Sequence, residues 1–108
     1  MTPIISYLVR SIHEEHLYQS KDIHHREGYL LRVITLAHLT QQQVRSSEFT
    51  RDRSLGSAPT IASALRRLVE KGLIRRKTDP TDRRNQWLIP TKHAIALFEE
   101  LSAVGSEK

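Results

Sequence analysis

The residues most able to do chemistry in this sequence are the Lys and Arg side chains between positions 60 and 92. Nine of them occur there against only three acids, so the net charge of the segment is +6, above the +5 of the whole 108-residue chain. Basic charge concentrated in one stretch is the electrostatic footprint of a protein that binds a polyanion such as nucleic acid. The nine cations are Arg66, Arg67, Lys71, Arg75, Arg76, Lys77, Arg83, Arg84 and Lys92.

A hairpin turn is predicted at residues 78–82, because turn-forming residues cluster there between two stretches of strand-like composition. The turn brings Arg83 and Arg84 to the hairpin tip. An arginine at such a tip can enter a narrow minor groove of DNA, where the negative potential is enhanced. Asp82 lies two residues before Arg84 and can pair with its guanidinium, which would fix its direction. An ordinary charged hairpin is the alternative interpretation.

The segment before the hairpin is predicted to be a helix that begins after Ser57 and ends at Lys71-Gly72. Ser57 is a favourable N-cap, and Pro59 is tolerated in the first turn. A helix fits the major groove with its N-terminal residues at the base edges, although a merely solvated helix face has the same pattern. The apolar stripe consists of Ile61, Ala64, Leu65 and Leu68. The side chains predicted to contact DNA are Ser57, Thr60, Ser63, Arg66 and Arg67.

Two strands and a last helix are predicted to surround the hairpin. An edge strand covers 73–77 and a second strand covers 86–89. Trp87 is expected to pack in the core or against the hairpin rather than to stack on a base. Thr91 is predicted to cap a helix that runs to about Val104, and the final four residues, GSEK, are expected to be frayed. The apolar face of this helix is Ile95, Leu97, Phe98 and Leu101.

The N-terminal half is predicted to supply helices that support this region. Thr2 and Pro3 start a helix that runs to about Gln19, and residues 20–27 either connect it to the next helix or continue it. Gly28 precedes that next helix, Tyr29–Leu39, which is apolar around much of its circumference and is therefore predicted to be central and buried. Its predicted buried side chains are Leu30, Leu31, Val33, Ile34, Ala37 and His38.

Residues 44–55 carry the weakest pattern of the chain. Val44, Phe49 and Leu55 are spaced so that they could anchor a short helix. Gly56 is predicted to end it, because glycine adopts a positive φ without a steric penalty.

Composition excludes several functional classes. The chain has no Cys, which excludes a disulfide framework, a thiolate zinc site and a cysteine nucleophile. No apolar run approaches the ~18 residues needed to span a membrane, and the N-terminus lacks a secretory pattern, so a soluble, cytoplasmic protein is expected. No glycine-rich phosphate loop or hydrolase motif occurs. We therefore expect no enzymatic activity and no cofactor.

Histidines near the N-terminus are the remaining candidates for chemistry. His13 and His16 lie three residues apart, and His24 and His25 follow them. Together with nearby carboxylates they could in principle bind zinc, but the spacing matches no known ligand pattern, so no metal site is predicted. A pH-sensitive dimer contact is the other interpretation. The nearby carboxylates are Glu14, Glu15, Asp22 and Glu27.

The stretch from residue 56 to residue 91 resembles the winged helix-turn-helix of MarR-type bacterial transcription regulators. The resemblance rests on a helix ending in L-x-x-x-G-L-I, on the turn D-P-x-D-R-R, and on the Thr91 that opens the following helix. It implies that the helix from Ser57 is the recognition helix, that Asp82 and Arg84 are the Asp and Arg of the wing (the hairpin), and that residues 30–38 belong to the helix preceding the helix-turn-helix.

The fold class that follows is α+β, mainly helical: a winged helix-turn-helix with N- and C-terminal flanking helices and a two-stranded wing. A chain of 108 residues is expected to form a single domain. Residues 1–27 would form an N-terminal helix used for dimerisation, 28–91 the winged helix-turn-helix, and 92–108 the C-terminal helix and tail.

The predicted function is that of a sequence-specific, DNA-binding transcriptional regulator, a homodimeric repressor that binds double-stranded DNA. By resemblance it would also respond to a small-molecule effector. The wing residues predicted to contact DNA are Arg76, Lys77, Asp82, Arg83 and Arg84. The alternative is a winged-helix adaptor that binds proteins and not DNA. DNA binding predicts a steep loss of affinity with salt, and an apolar protein interface predicts a weak one.

Overall fold

Five α-helices and one three-stranded antiparallel sheet make up the computed structural model of the chain, which describes residues 2–104. This is the α+β, mainly helical winged-helix arrangement that the sequence predicts. In chain order the elements are α1 (Pro3–Ser20), α2 (His25–Leu39), β1 (Val44–Arg45), α3 (Ser46–Thr50), a 3-10 helix (Arg53–Leu55), α4 (Ala58–Glu70), β2 (Ile74–Asp79), β3 (Asp82–Pro90) and α5 (Lys92–Ala103).

Three of the helices begin where a polar side chain caps them. Thr2, Ser57 and Thr91 each accept a hydrogen bond from the backbone N–H three residues later, at 3.2, 3.3 and 3.3 Å. Such a cap satisfies a backbone donor that the first turn leaves free and stabilises the helix by about 1 kcal/mol. The starts of α1, α4 and α5 predicted from the sequence are therefore confirmed.

Helix α2 begins earlier than predicted. It starts at His25, so Gly28 lies inside its first turns rather than ahead of it. A Cβ atom at Gly28 would lie 2.5 Å from Cε2 of Tyr18, whose ring is buried at the end of α1. Glycine is therefore needed here for the close approach of the two helices, and its position near a helix start is not a boundary signal.

The core is built around α2 and α4. Leu30, Leu31 and Ile34 of α2 are fully buried, which confirms that this helix is central. The whole predicted stripe of α4 is buried too, with exposures of 0–1%. Prediction is wrong at the C-terminal end of α2, where His38 is exposed and Ala37 only half-buried, because the helix runs past the core there.

Residues 44–55 form three short elements instead of one helix. β1 comes first, then α3, then the 3-10 helix. Phe49 is buried, and Val44 and Leu55 pack against the core, so the three predicted anchors do face inward. Gly56 follows with φ of 130°, the positive value that favours glycine.

The sheet has the order β1-β3-β2, and all neighbours are antiparallel. The turn is tighter than predicted: Asp79 pairs with Asp82, so only Pro80 and Thr81 connect the strands. β3 consequently begins at Asp82 instead of residue 86. Arg83 and Arg84 are its second and third residues and lie next to the turn. β2 is an edge strand, as expected.

Helix α5 buries Ala94, Leu97 and Leu101 against the core and leaves Ile95 and Phe98 half-buried. It ends at Ala103, with Val104 as its cap, close to the predicted end. The expected fraying of residues 105–108 lies outside the described residues. Within residues 2–104, none of the helices combines the length and the apolar composition that crossing a membrane requires.

Candidate nucleic-acid interface

The N-terminal part of α4 presents small polar side chains. The hydroxyls of Ser57 and Thr60 are hydrogen-bonded at 2.7 Å. Ser63, one turn further on, accepts a hydrogen bond from Nη2 of Arg66 at 3.0 Å. The Arg66 side chain is 66% exposed, and Glu70 is the nearest acid, 3.9 Å from its Nε. Small residues at the helix start permit a close approach to DNA, and the exposed guanidinium of Arg66 can reach a phosphate or a base edge.

Arg67 is placed differently from its neighbours. Its Nε donates to Oε2 of Glu27 at 2.6 Å, and Nζ of Lys71 donates to Oε1 of the same carboxylate at 3.0 Å. Burial by itself would raise the pKa of Glu27, but the hydrogen bonds from Arg67 and Lys71 outweigh it and hold the pKa below its ordinary value. Of the five α4 residues predicted to contact DNA, Arg67 is thus the one whose charge is directed toward α2.

The wing carries exposed cations on both strands. Arg76 and Lys77 lie on β2 and are exposed, and Nη1 of Arg76 donates to Oε1 of Gln86 across the hairpin at 3.3 Å. Arg83 is exposed beside the turn. The edge position of β2 leaves this side of the sheet uncovered by a further strand.

Asp82 and Arg84 form the pair expected from their spacing. Oδ1 of Asp82 accepts from the backbone N–H of Arg84 at 3.0 Å and from its Nε at 3.3 Å. The first of these bonds, then the second, holds the pKa of Asp82 below its usual range. The Arg84 side chain remains 91% exposed. The carboxylate therefore gives direction to a guanidinium that still faces solvent.

The turn of the wing is held by contacts that sequence analysis did not identify. Oδ1 of Asp79 accepts from the backbone N–H and the hydroxyl of Thr81 at 2.9 and 2.7 Å, and the pKa of Asp79 is lowered mainly by these bonds. Nη2 of Arg45, on β1, lies 3.3 Å from Oδ2 of Asp79. The Arg45 guanidinium also stacks over the half-buried ring of Trp87, 4.5 Å from its centroid. Trp87 thus packs within the wing, as expected.

The Asp-Pro-Thr sequence contained a signal for the Asp79–Thr81 contact, because Asp side chains commonly bond the backbone two residues on. Arg45 gave no such signal, since its partners are distant in sequence. Among residues 2–104, no group of three or more His, Asp or Glu side chains is arranged to hold a metal ion.

Comparison with known protein families gives a match to the segment that contains α4 and the turn of the wing. The model of the MarR family matches residues 51–85, from the end of α3 through α4 and the wing tip into β3. Curated proteins give no match to the chain. The family resemblance is carried by the segment that contains α4 and most of the wing.

Solved structures extend the likeness to nearly the whole chain. A MepR point mutant from a multidrug-resistant S. aureus clinical isolate is 25% identical, with 95% of this chain and 76% of that chain covered and a TM-score of 0.70. The S. aureus MepR–DNA complex is 28% identical over 91% of this chain and 75% of that one, with a TM-score of 0.64. NadR in complex with 4-hydroxyphenylacetate shares the fold at 18% identity, with 92% and 67% covered and a TM-score of 0.64. The resemblance to MarR-family regulators is confirmed.

Proposed function

We propose that this chain, which carries the sequence pattern and the fold of MarR-family regulators, is a sequence-specific DNA-binding transcriptional regulator that acts as a homodimeric repressor. The observation that carries the proposal is the wing tip, where Asp82 directs a guanidinium that is 91% exposed. A cation that one carboxylate orients and that is otherwise exposed to solvent is suited to an anionic partner outside the chain. Its action is binding, and it has no enzymatic role.

Eight of the ten predicted contact residues contact DNA directly in this proposal, while Asp82 orients Arg84 and Arg67 pairs with Glu27. Ser57, Thr60 and Ser63 face base edges in the major groove and set base preference. Arg66 contacts a phosphate or a guanine edge, and the exposed cations of β2, Arg76 and Lys77, contact phosphates. Arg83 and Arg84 enter the minor groove. The match to a MepR structure solved with DNA supports duplex DNA as the partner.

Dimerisation through α1 is part of the proposal. The first three turns of α1 leave six large apolar side chains 40–72% exposed, and an apolar surface of this kind marks an interaction site. A second copy of the chain is the occupant we propose, because two recognition helices about 34 Å apart would then meet successive turns of the major groove. The six side chains are Ile4, Ile5, Tyr7, Leu8, Val9 and Ile12.

A small aromatic acid is the effector class that we propose. A cavity of about 610 Å³ lies beside the turn between α1 and α2 and is lined by Tyr7, Tyr18, Glu14 and Arg32 among others. The Tyr18 hydroxyl is buried and lies beside Glu14 and Arg32. Arg32, which pairs with Glu14 at 2.8 Å, could exchange that partner for a ligand carboxylate. The NadR complex with 4-hydroxyphenylacetate makes that acid the first ligand to test by calorimetry.

The deciding experiment is binding to labelled duplex DNA from upstream of the protein's own gene, across a salt series, beside a scrambled duplex. Preferential binding whose affinity falls steeply with salt is the expected result. Equal binding to both duplexes would contradict sequence specificity. Absence of binding at low salt would favour the adaptor function instead. Sedimentation equilibrium tests the dimer, and a monomer at micromolar concentration would contradict it.

A further inference from the structure

A buried carboxylate lies between α2 and the recognition helix. Glu27, in the first turn of α2, has no exposed surface, although glutamate is rarely buried without a partner. Its two oxygens are divided between Arg67 of α4 at 2.6 Å and Lys71, the C-cap of that helix, at 3.0 Å, whose side chains are 42% and 24% exposed. These cations are four residues apart and therefore share one face at the C-terminal end of the helix. Both carboxylate oxygens are therefore paired, and both partners lie at the C-terminal end of α4.

The residue before Glu27 holds the other end of the same helix. Nε of Arg26 donates to the backbone oxygen of Leu55 at 2.9 Å, two residues before Ser57 caps α4. Two adjacent side chains of α2 therefore contact the segment that enters α4 and the turn that ends it. The buried apolar stripe already packs α4 against the core, and polar contacts near both of its ends restrict its direction further.

Lys71 also connects this arrangement to the turn between α1 and α2. Its Nζ donates to the backbone oxygen of Asp22, a residue held at φ of 55°. The turn, the start of α2 and the end of α4 consequently meet at one ammonium group. Because α1 is the proposed dimer helix, this contact lies between the dimer region and the recognition helix.

An ion pair with a buried carboxylate contributes little net stability compared with apolar packing, because taking that charge out of water offsets most of the attraction. Its best-attested use is to select one arrangement among several of similar energy. We infer that Glu27 is a positioning residue for DNA recognition: by gripping Arg67 and Lys71, and with Arg26 at the other end, it fixes the direction in which α4 enters the major groove. This inference rests on the proposed function.

The inference gives Arg67 a different role from that of Arg66, which is proposed to contact DNA directly. If Arg67 serves the arrangement of α4, its loss lowers the preference for specific DNA while the salt dependence stays the same. If Arg67 contacts a phosphate, its loss weakens binding to every sequence equally, and the slope of log K against log salt decreases by about 0.9. The two roles therefore differ in a measurable quantity that a loss of stability would not reproduce.

The test compares Glu27→Gln with Glu70→Gln. Both variants remove one negative charge next to the recognition helix, but the Glu70 side chain is 65% exposed and makes only a 3.9 Å contact with Arg66. The probes are the duplex that the parent protein selects from a random-sequence library and a scrambled duplex of the same composition. We expect the ratio of the two affinities to fall about tenfold in Glu27→Gln, the loss that one badly made base contact causes, and to stay at the parent value in Glu70→Gln.

Arg67→Gln is the second variant, for the case in which circular dichroism shows that Glu27→Gln does not fold. It retains the contact between Glu27 and Lys71. It should lower the same ratio with an unchanged salt slope, and the double variant should be no worse than Glu27→Gln alone. An unchanged ratio in folded Glu27→Gln, or a reduced salt slope in Arg67→Gln, would overturn the inference. A parent protein that selects no preferred duplex would instead overturn the proposed function, so the two failures are distinguishable.

Discussion

Replacing Arg84 by alanine is expected to weaken DNA binding while the fold stays intact. The side chain is 91% exposed and its hydrogen bonds go to Asp82, also on the wing. Its removal leaves no cavity, so the free energy of unfolding should change by no more than about 0.5 kcal/mol. A well-placed arginine contact to bases contributes about 1–3 kcal/mol to binding, so Kd should rise about 5- to 150-fold.

The loss of one cation also predicts a change in salt dependence. Each phosphate-neutralising charge contributes about 0.9 to the slope of log K against log salt. A guanidinium in the minor groove lies between the two phosphate strands and neutralises phosphate charge as well as contacting bases, so without Arg84 the slope should be less steep by about that amount for each bound protomer. Between 50 and 200 mM salt, the affinity of the variant should then fall about 3.5-fold less per protomer than that of the parent.

The assay is fluorescence anisotropy of a labelled duplex over a salt series, with thermal melting by circular dichroism to verify the fold. Lys92→Ala is the matched control, because Lys92 is an exposed cation at the start of α5, outside the wing. Equal losses of DNA affinity in the two variants would mean that Arg84 acts only through its charge and not through its position on the wing. If Arg84→Ala binds as tightly as the parent, with the same salt slope, the assignment of the wing is wrong.

Three further changes test separate parts of the structure. Asp82→Asn keeps the charge of Arg84 but weakens its orientation, so preference for the selected duplex should fall in anisotropy titrations while the salt slope does not decrease. Gly28→Ala forces a Cβ to 2.5 Å from the Tyr18 ring and should lower the free energy of unfolding by about 1–3 kcal/mol in urea, although alanine favours helix. Because the folded pKa of Glu27 lies below its ordinary 4.5, its contribution to stability is present above that value and is lost as pH falls through the lower folded pKa. Urea midpoints measured from neutral pH to about pH 3 should therefore decrease more in the parent than in Glu27→Gln, and parallel curves would contradict this.

Local signals in the sequence were sufficient for the longer elements. The caps at Thr2, Ser57 and Thr91 act within one helical turn, and the apolar stripe of α4 repeats at helical spacing, so both can be read without knowledge of the fold. A strand of two residues such as β1 has no periodicity to detect. Its pairing of Val44 with Leu88 depends on a partner 44 positions away, which composition does not reveal.

The wing shows a second limit of local reasoning. Thr78 and Asp82 have the composition of a turn, yet they pair across the hairpin with Gln86 and Asp79. What shortens the turn is Asp79, whose carboxylate bonds Thr81 and lies beside Arg45. The contact between Asp79 and Thr81 is local and could be predicted, while the contact between Asp79 and Arg45 requires β1 to be in place. The position of Arg84 relative to Asp82 was predictable because both ends of the contact lie within three residues.

The nine cations between residues 60 and 92 show why charge predicts the type of partner better than the residues that contact it. Periodicity places Arg66 and Arg67 equally outside the apolar stripe of α4, and nothing nearby in the sequence separates them. Glu27, which lies 40 residues before Arg67, pairs with it and with Lys71, while these two side chains remain 42% and 24% exposed. Two of the nine cations are thus already paired with a buried acid, so the salt dependence of binding should correspond to fewer phosphate contacts than the sequence contains. In the function that we propose, the basic stretch next to a buried acid therefore serves both as the DNA-binding surface and as part of the scaffold that orients it.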